Sequence, residues 1–168
     1  GVYSVVTDGA ENKLTEYAVR YTFGISPLQQ YLVDVGSGRL QALPLVWDAR
    51  GADVQSSNPN SNQHWYHLAP QSAGAADDPI HWTRGGQNWN HMCADCHSTA
   101  VTKGYDAATD TFNTQFAEIS VGCEACHGPG SSHRDSPTQP YPMRSSAISA
   151  AVAEQNTCAT CHSRRAQL

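Results

Sequence analysis

The stretch CEACHGPGSSH, residues 123–133, poses the question on which the reading of this chain turns. A histidine follows the second cysteine at once, and another comes six residues later. The first half of the pattern recurs: CADCH at 93–97, CEACH at 123–127 and CATCH at 158–162. All six cysteines lie in these pairs, Cys93/Cys96, Cys123/Cys126 and Cys158/Cys161, so none is left for a long-range disulfide. His97, His127 and His162 close the three motifs.

Residues i, i+3 and i+4 of a helical turn share one face. Both thiols and the imidazole of each motif would then point the same way. Haem of the c type needs that arrangement: two sulfurs to add to its two vinyl groups and a nitrogen to reach the iron. Zinc sites separate the cysteine pair from the second ligand pair by a dozen or more residues, and do not need a histidine against the second cysteine. A thioredoxin-like redox pair needs one such motif on a βαβ scaffold, not three. A disulfide framework belongs to smaller secreted chains than this one. The expectation is three haem c groups, held by the six cysteines, with His97, His127 and His162 as proximal iron ligands. Three haems leave too little protein to insulate each ring. The rings should lie close together and supply much of the core.

Composition removes other classes. The net charge is −5 and the basic pair Arg164-Arg165 is the only cluster of its sign, which argues against a nucleic-acid partner. No apolar run has the length of a transmembrane helix, and no signal peptide is visible. Gly1 is not a natural initiator, which points to a processed form or a fragment.

Outward from the motifs, the chain is expected to be α+β with little regular structure. Residues 1–48 read as a small antiparallel sheet of three or four strands. VYSVVT (2–7) precedes a turn at Asp8-Gly9. EYAVRYTF (16–23) alternates, with Tyr17, Val19, Tyr21 and Phe23 on one face. QQYLVDV (29–35) alternates again, GSGR (36–39) reads as a hairpin loop, and LQALPLVW (40–47) is the return strand, with Pro44 at an edge or bulge. Residues 49–80 read as connecting loops that carry one distal haem ligand. Residues 81–168 are the haem-binding region of short helices, forming one compact unit with 1–80. Gly128-Pro129-Gly130 should end the second motif helix, and Ser145–Gln155 is an Ala-rich helix leading to the third motif. No D-x-D-x-D-G loop supports a calcium site.

Each iron has a second axial position. Five histidines remain, His64, His67, His81, His91 and His133, against two methionines, Met92 and Met143. Met92 abuts Cys93 and cannot easily reach across its own ring. Bis-histidine ligation at all three haems is therefore affordable. His133, beyond the Gly-Pro-Gly turn, either caps a neighbouring haem or is a surface histidine in a Ser-rich loop.

The blocks YTFGISPLQQYLVDVGSGRLQALPLVWDAR, HWYHLAP, DPIHWTRGGQNWNHMCADCHST, VGCEACHGPGSSH and TCATCHSRR resemble the multihaem cytochromes c that often carry tetratricopeptide repeats. The resemblance runs from about Tyr17 to Arg165 and includes PLQQYL and QNWN, which contain no cysteine. It implies distal ligands at His67, His81 and His133. His64 and His91 stand where the family commonly has other residues, which leaves them as surface or supporting groups, or as ligands, including across subunits. Larger relatives carry a further motif upstream and more haem sequence downstream, so this chain is either a compact three-haem member or a fragment.

Three functions are open to such a chain. The leading one is electron transfer to and from redox partner proteins. A second is a reductase or oxidase of small nitrogen compounds, which requires a haem with a vacant distal position. A third is a subunit of a conducting filament, in which GVYSVVT pairs with the sheet edge of another copy. Covalent haem attachment occurs outside the cytoplasmic membrane, so a periplasmic or extracellular location is expected.

Overall fold

The computed structural model describes residues 3–11, 13–51, 63–68, 70, 76–138 and 150–163. Gly1 and Val2 of the first expected strand, the loop around Ser56–Asn60, the start of the expected Ser145–Gln155 helix, and Arg164-Arg165 lie outside the described residues. The chain divides into two compact units. The first is Gly1–Cys93 with Lys103–Thr114, and the second is Ala94–Thr102 with Gln115–Leu168.

The first unit is built on an antiparallel sheet of β1 (Ser4–Asp8), β2 (Leu14–Phe23), β3 (Leu28–Asp34), β4 (Leu40–Ala42), β5 (Leu45–Asp48) and β6 (His64–His67). The order is β1-β2-β3-β5-β6, with β4 also paired to β3. The α+β class with short helices and loops is as expected, but the sheet has six strands where the sequence reading allowed three or four. Two local causes account for the difference. Pro44 has no N–H to give, so the return strand breaks there into β4, opposite residues 32–34, and β5, opposite residues 28–29. β5 is not an edge: β6 covers its other side, and Leu68 N donates to Pro44 O at 2.9 Å. β6 is only four residues long and follows a polar stretch, so its Trp65-Tyr66 alternation is too brief to stand out within residues 49–80.

The hairpin at GSGR is as read, closed by Val35 N to Arg39 O at 3.1 Å and Arg39 N to Gly36 O at 2.9 Å. The single face expected for Tyr17, Val19, Tyr21 and Phe23 is interrupted. The β2–β3 register shifts between Val19 and Tyr21, a bulge that places two steps of one strand against one of the other. Tyr17 and Val19 pack on the core of Val33, Leu43 and Trp82, whereas Tyr21 is 38% exposed.

Trp82 ties the chain after the sheet back onto it. Its indole N–H donates to Asp8 O at 2.8 Å, and its ring meets Tyr17 edge-on at 5.2 Å. Next comes QNWN, residues 87–90, leading into α1 (Trp89–Met92). Its two asparagine amides are buried, and a third buried amide, Gln41 of β4, joins them. Gln41 Nε2 donates to Trp82 O (2.8 Å) and Arg84 O (3.0 Å), and Asn88 Nδ2 donates to Gln41 Oε1 (3.0 Å). Asn90 Oδ1 accepts from Leu40 N at 2.7 Å, while its Nδ2 donates to Gly38 O at 3.1 Å and to Thr114 Oγ1 at 2.8 Å. Trp89 is fully buried between these amides in the sequence. Asn88 also caps α1, accepting from His91 N at 3.0 Å. The helix that delivers Cys93 is thus fixed by polar side chains that have no route to solvent.

A small hairpin of β7 (Tyr105–Asp106) and β8 (Thr111–Phe112) closes the unit over the GSGR loop. Phe112 N donates to Ser37 O at 2.9 Å, and Arg39 pairs with Asp110 while lying 5.3 Å over the Phe112 ring. Gly38, at φ +69°, faces the Phe112 carbonyl so closely that a Cβ there would collide with it.

Two expected outcomes follow. Asn90→Ala leaves the buried Leu40 amide without its acceptor and should cost about 1–3 kcal/mol, read as a shift in the guanidinium midpoint by circular dichroism. Asp48 is buried at the end of β5, and the Arg50 guanidinium, at 2.5–3.2 Å, holds its carboxyl at about 2, below the ordinary 3.8. A depressed carboxyl stabilises the fold above its ordinary value, and that contribution fades as pH falls from about 3.8 towards about 2. Arg50→Met should therefore move acid unfolding to higher pH in a circular dichroism titration.

Candidate haem-attachment site

The second and third motifs each lie on an unbroken helix. CEACH forms α3 (Cys123–His127), and CATCH forms the last turns of α5 (Ala150–His162). Gly128, at φ +77°, ends α3, as the Gly-Pro-Gly run requires. The first motif is less regular. Cys93 closes α1 in a non-helical conformation (φ −122°, ψ −33°), and α2 (Ala94–His97) carries Cys96 and His97. The boundary between the two units falls here, between Cys93 and Ala94.

None of the six cysteines is in a disulfide and none is buried: Cys123 and Cys158 are exposed, the other four half-buried. Free cysteine is ordinarily among the most buried of residues. Six sulfurs kept out of the core, each pair three residues apart and followed by an imidazole, fit a covalent ring lying against them. Among the described residues, no three His, Cys, Asp or Glu side chains converge as they would around a single metal ion. Ser98 gives a second sign of fit. It follows His97, is 5% exposed, and its hydroxyl meets no hydrogen-bond partner among the described residues. A buried hydroxyl without a partner costs about 1–3 kcal/mol. Haem carboxylates would supply an acceptor.

The second unit holds its motifs together through short, named contacts. Thr99, two residues past His97, is buried; Thr99 N donates to Glu118 O at 3.0 Å, and its hydroxyl donates to Ser120 O at 2.7 Å. The same oxygen accepts from Gly122 N at 2.8 Å. Gly122 is the N-cap of α3, so one threonine couples the end of the first motif to the start of the second. A Cβ on Gly122 would meet Glu118 Oε2 at 2.5 Å, so that exposed side chain would have to turn aside. The third motif meets the first: Cys96 Sγ lies 4.0 Å from Cys161 O, and Cys161 Sγ 3.9 Å from Asp95 O.

The remaining histidines fall in different settings. His97 and His162 are exposed, and His127 is half-buried. His133 is half-buried on a short helix, α4 (Ser131–Asp135), rather than in a Ser-rich loop. His67 and His81 line one cavity of about 440 Å³ in the first unit, with Val5, Asp8, Leu43 and Trp82 among its walls. His81 is 2% exposed; its Nε2 lies 3.0 Å from Asp8 Oδ2, and its Nδ1 2.9 Å from Thr83 Oγ1. His64 opens β6, and His91 is exposed on α1. Asp8, Thr83, Ser98 and Thr99 were not singled out from sequence. Ser98 and Thr99 carry a signal after the fact, since they extend the first motif to CADCHST. Asp8 carries none, because a turn aspartate is unremarkable until its partner is known.

Three short segments that each offer two thiols and an imidazole, two of them on unbroken helices, define a multihaem c-type cytochrome. A family model described as "Cytochrome c7 and related cytochrome c" matches residues 80–163, half of the chain, and the protein belongs to that family. Membership makes it an electron-transfer protein with c-type haems. No curated protein and no solved structure matches the chain.

Thr99→Val removes the hydroxyl that joins Ser120 to Gly122. Amide exchange at Gly122 should accelerate roughly tenfold, the equivalent of about 1.4 kcal/mol of lost protection, with exchange in β3 unchanged.

Proposed function

We propose that the chain carries three haems, each bound through one of its three motifs and each closed by two histidines, and that it conducts electrons without acting on a substrate. The observation that carries this is the set of six unburied cysteines, none in a disulfide, in three histidine-terminated C-x-x-C segments, two of them on unbroken helices. When bound, c-type haem supplies a reversible one-electron couple. The chain's own residues do the rest. The thiols of Cys93, Cys96, Cys123, Cys126, Cys158 and Cys161 attach the rings, and His97, His127 and His162 are the proximal ligands. His67, His81 and His133 are the distal ones, and a second imidazole on each iron closes it to small molecules. Imidazole pairs lack the preference of methionine for ferrous iron, so low potentials follow. Attachment chemistry of this kind places the protein in the periplasm or outside the cell. Among the described residues, no helix is long and apolar enough to cross a membrane.

Iron and haem quantitation should give three per chain. His67→Ala, His81→Ala and His133→Ala, made singly, should each convert one haem to high spin. An unchanged spectrum removes that residue from the ligand set. Rapid stoichiometric binding of carbon monoxide by the reduced protein would favour the enzyme reading instead.

One observation favours assembly of copies into a filament. β1 is the outer strand of its sheet, and Tyr3 and Val6 are 76% and 62% exposed. An open apolar edge strand is a template for pairing with another chain. Deletion of residues 1–7 should abolish filaments in electron micrographs. Filaments of unchanged length after the deletion would count against this mechanism.

A further inference from the structure

Each ring nitrogen of His81 meets a side-chain oxygen, and the two oxygens differ in kind. Asp8 is a carboxylate at neutral pH and can only accept, so the proton shared at 3.0 Å sits on Nε2. Nδ1 is then the lone pair. It lies 2.9 Å from the Thr83 hydroxyl and 3.4 Å from the Thr83 amide, both able to donate to it.

The two partners also differ in how firmly they are held. Asp8 ends β1, and Asp8 Oδ1 accepts from the Thr7 hydroxyl at 2.8 Å. Its carbonyl accepts from Trp82 Nε1 at 2.8 Å, and Trp82 is part of the sheet core with Val33 and Leu43. Asp8 is therefore anchored by its strand, by Thr7 and by a core tryptophan adjacent to the histidine it holds. Thr83 offers a hydroxyl that turns about one bond. Of the two ring nitrogens, Nδ1 is the one that can be released without breaking the fold.

We propose that Asp8 is the positioning residue for His81: it keeps the proton on Nε2, fixes the ring, and presents Nδ1 as the iron donor. This rests on the reading of His81 as a distal ligand. A carboxylate on the far side of a ligating imidazole raises its basicity and favours the higher oxidation state of the metal. Asp8 thereby lowers the potential of one haem selectively, from a strand with no haem motif on it.

The test uses the haem-loaded full chain and two readouts, spectroelectrochemical titration and electron paramagnetic resonance. Asp8→Asn keeps the size and an accepting oxygen but removes the charge. One redox wave should move to higher potential and one low-spin signal should change, while haem content and the other waves stay in place. Asp8→Glu should move the wave back towards that of the unaltered protein. Thr83→Ala should leave every wave where it was. Waves unmoved by Asp8→Asn, in a protein whose His81→Ala variant gains a high-spin haem, would overturn the proposal and leave the ligand reading standing. A shift in Thr83→Ala as large as that in Asp8→Asn would also overturn it, since Nε2 would then be the bound nitrogen. If His81→Ala leaves all haems low spin, the ligand reading itself fails and the proposal falls with it. Should Asp8→Asn not fold, Thr7→Val, which loosens the carboxylate without removing it, should shift the same wave in the same direction by a smaller amount; no shift would overturn the proposal.

Discussion

Two sulfurs and one nitrogen must meet a planar ring from one side, and a single helical turn is the shortest stretch of backbone that presents them so. Everything else in this chain serves that requirement. The helices need not be long, because the ring is held covalently and does not rely on an extended groove. Thus α2, α3 and α4 are four or five residues each, and among the described residues only α5 has three turns. Helices that short do not form on their own in water. They persist here because their ends are tied by threonine, glycine and backbone contacts.

Those ties make the motifs into an arrangement. Thr99 reaches from the first motif to the N-cap of the second, and Cys96 and Cys161 face each other's helices. Residues between the motifs are therefore constrained even where they carry no ligand. Ser120 and Gly122 are instances, both held through the Thr99 hydroxyl.

The sheet unit plays a different part. Its apolar core is small, and the segment after it is secured largely by buried amides. Gln41, Asn88 and Asn90 satisfy one another and the backbone of residues 38–40 and 82–84. Buried hydrogen bonds of this sort are costly to leave unmade and directional when made. They suit a place where the register of α1, hence the position of Cys93, has to be set accurately. The sheet also holds His67 and His81 at one cavity, so its strands contribute to the candidate ligand set as well as to stability.

Sequence by itself determined the chemistry at the motifs, because thiol and imidazole spacing along one helical turn is a local property. It determined the β2–β3 and β3–β4 hairpins for the same reason: alternation and a Gly-Ser-Gly turn are read over a few residues. PLQQYL and QNWN carry the resemblance without revealing their role, since Asn90 finds its partner 50 positions away at Leu40. The bulge after Val19, the pairing of the short β6 and the burial of His81 against Asp8, 73 positions earlier, are of the same kind. Tertiary structure alone decided these, because a polar side chain facing solvent and one facing a distant partner look the same in a sequence until the chain has closed on itself.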